Sequence, residues 1–177
     1  MSKGIHLTEY HEAIQRWLKS NAPWLKSVEY YPELTSPLDT PCAFFSVSGW
    51  EPVENQPGNG QLEVLIHCEV LAVIGIKEIT HQLDARNAAM FLSVILQNTN
   101  FDLKVKPAQV ISADADATEP DLDAYSVWSV KFVQKANIGM PILEVDEERG
   151  IRVAINPTDI NDPAEYDSLE SFNETTT

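Results

Sequence analysis

Basic residues are scarce in this chain. Twelve Lys and Arg stand against 27 Asp and Glu, for a formal net charge of −15. A surface that grips nucleic acid needs clustered cations to displace the counterions of phosphates, so that class of partner is argued against on charge. Long apolar runs are lacking too, and none reaches the roughly 18 residues that cross a bilayer. The opening "MSKGIHLTEYHEAI" has no apolar h-region and no small-residue cleavage site. No signal peptide is therefore expected, and folding is expected in a cytoplasm. Cysteine is limited to Cys42 and Cys68, on separate predicted strands without C-x-x-C spacing, which points to buried reduced thiols. G-x-S-x-G, Walker A and G-x-G-x-x-G are all missing, and "GNGQLE" lacks the strand-to-helix setting that a phosphate loop needs. These gaps leave no catalytic residue, no metal ligand and no cofactor to assign, and the chain reads as a non-enzyme.

What is present is a pattern of alternating elements. In "TEYHEAIQRWLKS", Leu7, Tyr10, Ile14, Trp17 and Leu18 recur at helical spacing, with Thr8 as N-cap and Asn21 and Pro23 as the stop. Strands follow at "SVEYYP" and "CAFFSVSGW". A Pro-marked loop then runs to Asn59-Gly60, a dipeptide suited to a tight turn. The clearest signal is "QLEVLIHCEVLAVI". Leu62, Val64, Ile66, Cys68, Val70, Ala72 and Ile74 share one face, and the other face turns apolar at Leu71 and Val73. Fourteen extended residues span roughly 45 Å, so this central strand must bend around the core or find a partner for one end. Residues 77–98 read as a second helix, whose apolar half "AAMFLSVIL" is expected to lie buried against the sheet. "PAQVISADADA" and "YSVWSVKFVQK" are the last strands of the body, with Trp128, Val130 and Phe132 facing inward.

The resulting class is α+β: two helices packed on an antiparallel-rich mixed sheet, in the order α-β-β-β-α-β-β. Residues 1–140 form this domain, and 141–177 form an acidic extension with one hairpin expected around Arg149-Gly150 and an extended tail past Pro157. From Pro141 onward ten acidic residues face only Arg149 and Arg152, so about half the net charge sits there. Both an acidic body that lies near DNA without holding it and an ordinary well-solvated protein have such a charge.

Chemistry is most conspicuous at "ADADATEPDLDAY", residues 113–125, where Asp114, Asp116, Asp121 and Asp123 crowd around Pro120. A calcium loop of the EF-hand kind needs a third ligand where Thr118 stands, a glycine where Glu119 stands and a glutamate where Tyr125 stands. The motif fails three times, and a solvated acidic loop between strands is the reading. His6, His11, His67 and His81 show no metal-ligand spacing. His67 lies on the polar face of the long strand with Glu63 and Glu69, where a cross-strand or intersubunit contact is the default. Trp50-Glu51, at the mouth of the Pro/Gly-rich loop, either caps the core or anchors an interface. Trp50, Glu51, His67, Asp114, Asp116, Asp121 and Asp123 are thus candidate interface residues.

Several phrases, taken in order, resemble the tail terminator (tail completion) proteins of long-tailed bacteriophages, both the Mu-like members and, in topology, the lambda-like ones. They are "AIQRWLKSNAPWL", "TPCAFFSVSGWEP" leading into "GQLEVLIHCEV", "DARNAAMFLSVIL" and "YSVWSVKFVQKANIG", which together cover roughly residues 5–140. The resemblance implies a structural virion protein of the tail or neck, assembled in the host cytoplasm. It implies a homo-hexameric ring that caps the tail tube, stops its polymerisation and offers the surface for head joining. Its implied partners are copies of itself, the tube, the sheath protein where there is one, and neck or connector proteins. DNA passes through such a ring without specific binding, and no membrane is involved. Two alternatives stand beside it: a neck, connector or other tail-assembly ring protein, and an enzyme or metal protein built on the aspartates.

Overall fold

A computed structural model of the chain describes residues 3–30, 37–77, 79–116, 122, 124–141, 152–153 and 167–168. These divide between two compact units, Ser2–Ile142 and a smaller one made of Leu143–Thr177 with Met1. In the larger unit two helices pack on a five-stranded mixed sheet, an α+β fold. Its elements are α1 (Leu7–Asn21), β1 (Ser27–Glu29), β2 (Cys42–Pro52), β3 (Leu62–Gly75), α2 (His81–Leu96), β4 (Gln109–Ala115) and β5 (Tyr125–Ile138). The sheet order is β1-β2-β3-β5-β4, antiparallel throughout except for β1, which runs parallel to β2. In the smaller unit β6 (Arg152–Val153) pairs antiparallel with β7 (Asp167–Ser168). The turn expected at Arg149-Gly150 and most of the segment past Pro157 lie outside the described residues.

The helix α1 begins one residue before its sequence reading, and its cap is His6 rather than Thr8. The His6 Nδ1 accepts from the Thr8 backbone N–H at 3.4 Å, so the expected cap residue is instead the one being capped. Tyr10, Ile14 and Leu18 are fully buried, the spacing that an amphipathic helix requires. α2 starts at His81, four residues later than the periodicity alone places it. Thr80 occupies the capping position, and its hydroxyl donates to Asp84 Oδ2 at 2.8 Å.

Both helices lie on the same face of the sheet. Tyr10, Ile14 and Leu18 of α1 and Ala88, Ala89, Leu92 and Leu96 of α2 close over Ala43, Phe45, Val64, Ile66, Cys68, Val70, Ala72, Val130 and Phe132. The even-numbered face of β3 is therefore the core face, as its alternation predicts. The other face is apolar at Leu71 and Val73 because the chain covers it there: Cys42, Phe44, Val127 and Leu122 form a second cluster, flanked by Leu38 and Tyr125. Leu122 comes from the acidic stretch, so that stretch carries an apolar anchor between its charges.

The length of β3 is met within the chain. All 14 of its residues pair with β5, and β2 lies along Val64–Val73. Beyond the reach of β4, the edge of β5 is taken up by other backbone: Lys106 N–H donates to Lys135 O at 2.9 Å and Ile5 N–H to Asn137 O at 2.8 Å. The Pro-marked loop expected to run to Asn59-Gly60 spans residues 53–61. Its end is held by Asn59 Oδ1, which accepts from Gln61 N–H at 3.0 Å, and Gly60 takes the positive φ of +88° that the dipeptide favours.

Candidate functional site

The candidate interface residues separate into two groups at opposite ends of the sheet. Trp50, Glu51 and His67 lie together at the end of the β2–β3 ribbon, where Gly49 pairs with His67, Trp50 with Ile66 and Glu51 with Leu65. A bulge at Ser48 decides which way they face. Before it, Val47 pairs with Cys68; after it the register has slipped by one residue. Because side chains alternate, one extra residue exchanges the two faces of everything beyond it. The slip puts Trp50 on the helix side and Glu51 on the same face as His67. Glu51 Oε1 then lies 3.4 Å from His67 Nε2, and Ser48 Oγ bonds His67 O at 3.3 Å. Trp50 is 57% exposed and so does not cap the core. It stands near the end of the paired ribbon, with more than half of the residue exposed.

Asp114 and Asp116 lie at the other end. Asp114 is exposed on the edge strand β4 opposite Ser129, and Asp116 N–H donates to Val127 O at 3.1 Å, continuing the ladder past the strand's end. Asp121 and Asp123 lie outside the described residues. Among the described residues no three His, Cys, Asp or Glu side chains converge as a metal site would require.

Between the two groups, on the face away from the helices, runs a polar row. Glu69 accepts from the Ser129 hydroxyl and lies 3.9 Å from Lys131 Nζ, its cross-strand partner. This row adjoins a shallow depression of about 250 Å³ lined by His67, Glu69, Ile111 and Lys131. His67 lies in that row, and its Nε2 faces the Glu51 carboxylate. His81 Nδ1 meets Ser126 Oγ at 2.5 Å, which ties the first turn of α2 to β5. The cysteines are free, buried and on opposite faces of the sheet. Burial, with Glu29 and Asp39 nearby, pushes the Cys42 thiol up to about 11, and burial pushes Cys68 up to about 12. Both shifts favour the neutral thiol over the thiolate.

Two features escaped the sequence reading. One is a cleft of about 820 Å³ at the β3 C-terminal end, walled by Trp24, Leu38, Ile76, Phe91 and Tyr125, with the Lys26–Asp39 ion pair on its rim. The other is the outer side of α2. The half expected to be buried buries only Ala88, Ala89, Leu92 and Leu96, while Met90, Phe91 and Val94 face solvent. A helix lying on one face of a sheet can bury only one side, so an all-round apolar sequence leaves its other side bare. The continuous apolarity of "AAMFLSVIL" was itself the signal.

No protein-family model matches the chain, and no curated protein matches it either. One solved structure without a functional description aligns at a TM-score of 0.42 and 15% identity, over 72% of this chain and 89% of that one. A likeness that loose carries no argument about function.

Proposed function

We propose that the chain is a structural subunit of a long phage tail, one that assembles as a ring on the end of the tail tube, stops its growth and presents the head-joining surface. The observation that carries the reading is the end of the β2–β3 ribbon. There a bulge aims an exposed tryptophan to one side and a His67–Glu51 pair to the other, on backbone held by two long neighbouring strands. Exposed tryptophan on rigid backbone is the kind of residue that dominates protein contacts. The ordered phrases over residues 5–140 supply the identity of the partner, and the net charge of −15 suits a lumen through which DNA slides without sticking.

The test is a tube-assembly reaction in which the purified chain is added to polymerising tube protein. Capping predicts that tubes stop lengthening once ends and rings are matched. Trp50→Ala is expected to abolish that arrest while leaving the fold intact. Asp114→Asn with Asp116→Asn is expected to leave it in place, because neither carboxylate is assigned chemistry. Tubes that grow unchecked in the presence of the native chain refute the reading.

A further inference from the structure

We infer that the outer side of α2 is a contact surface for a second copy of this chain. Leu83, Met90, Phe91 and Val94 recur at 7-, 1- and 3-residue steps and so form one stripe, opposite the buried Ala85, Ala88, Ala89, Leu92 and Leu96. They are 53%, 69%, 41% and 75% exposed, and Ile76 and Ile79, just before the helix, are 54% and 102% exposed. Together that equals about four fully exposed large residues, or roughly 800 Å² at about 200 Å² each. An apolar patch of that size exceeds what monomeric surfaces ordinarily leave bare. It also matches the approximately 800 Å² that each partner contributes to a stable interface.

The charge pattern selects the occupant. Two chains bearing fifteen net negative charges each repel wherever their acidic residues meet. From Asn87 to Gln97, which includes Met90, Phe91 and Val94, there is no charged residue. The part before it carries both signs at Lys77, Asp84 and Arg86, so two copies can approach there without burying charges of one sign only. A basic partner would be drawn to the acidic surfaces instead. The stripe is also preformed: Phe91 stacks edge-on against Trp24 with ring centres 6.0 Å apart, and the helix beneath it is fixed by the core. Little ordering is left to oppose association. The surface goes beyond the tube-capping reading, because copies can associate through it whatever they cap.

The experiment is sedimentation equilibrium of the full chain across the micromolar range, at low and high salt, with Met90→Asp and Val94→Asp as variants. Self-association is expected that strengthens as salt screens the net charge, and each variant is expected to weaken it by roughly thirtyfold or more. Far-UV circular dichroism and the melting temperature should be unchanged, because both side chains are exposed. Should either aspartate variant unfold, Met90→Gln and Val94→Thr repeat the comparison with a smaller loss in the same direction. A native chain that stays monomeric, an association indifferent to both substitutions, or one that dissolves as salt rises overturns the inference. Tube arrest by a chain whose association ignores α2 refutes this surface alone; association through α2 without tube arrest refutes only the capping reading.

Discussion

At the scale of single residues, the core is organised around a buried polar node. Tyr10 Oη donates to Gln134 Oε1 at 2.6 Å and lies 3.4 Å from Cys68 Sγ, while Gln134 Nε2 donates to Lys106 O at 2.7 Å and to Thr99 O at 3.2 Å. One amide thus joins α1, β5 and the loop after α2. Replacing it by an apolar isostere leaves the Tyr10 hydroxyl without its oxygen acceptor and the Lys106 carbonyl without its side-chain donor, while Thr99 O keeps the Ala108 N–H at 2.8 Å. The cost is roughly 2–4 kcal/mol. Gln134→Leu is therefore expected to lower the melting temperature by about 5–15 °C in calorimetry. His11 offers the opposite case. Its ring packs 4.8 Å from Phe45 and 5.3 Å from Tyr30, and its Nδ1 is buried without a hydrogen-bond partner among the described residues. Burial holds its pKa below the ordinary histidine value. The unfolded chain takes up that proton near pH 6.5 and the folded chain resists it, so stability is complete above about 6.5 and lost as pH falls through the folded value. Urea titrations of His11→Phe should show a flatter decline between about pH 7 and 5 than the native chain. An unchanged slope would mean that His11 is not among the groups setting acid stability.

At the scale of elements, much was legible, and the misses have physical causes. The even face of β3 and the inward set Trp128, Val130 and Phe132 came from strict alternation, and Trp128 is the partly buried member at its edge. Continuing that alternation along β5 reaches Gln134, a polar residue in an inward position and the one sequence trace of the Tyr10 node. The face of Trp50 could not be read, because Ser48 leaves no periodic mark when it bulges. The outer side of α2 was misjudged because apolar composition does not say how many sides a neighbour covers. The loop after α2 was also hidden. Asn98, Phe101 and Asp102 take positive φ without glycine, and Phe101 is held there by Trp17 and Phe132, with ring centres at 5.3 and 5.9 Å. The N-terminal segment docks by close approach. Gly4 N–H donates to Gly139 O at 3.0 Å, and a Cβ on Gly4 would lie 2.5 Å from that same oxygen. Gly4→Ala must push this segment off the end of β5, and a loss of about 1–3 kcal/mol is expected in denaturant unfolding. Amides near Ile5 and Asn137 should exchange faster with solvent, and unaltered exchange there would contradict the close-approach account.

At the scale of the whole molecule, the larger unit offers neighbours two kinds of surface. One is acidic, including the exposed Asp114 on the β4 edge. The other is apolar and rigid, at Trp50 and along α2. With Trp50 assigned to the tube and α2 to a second copy, one subunit can hold a neighbouring copy and the tube at separate surfaces. On the tube-capping proposal, the net charge of −15 would make the bore of such a ring unattractive to DNA. The measurement that tests this most directly is negative-stain imaging of the purified chain, alone and mixed with tail tubes. The account predicts closed rings, six-fold as the resemblance implies, and added density on one end only of each tube. A chain that remains monomeric at high concentration and leaves every tube end bare would contradict it.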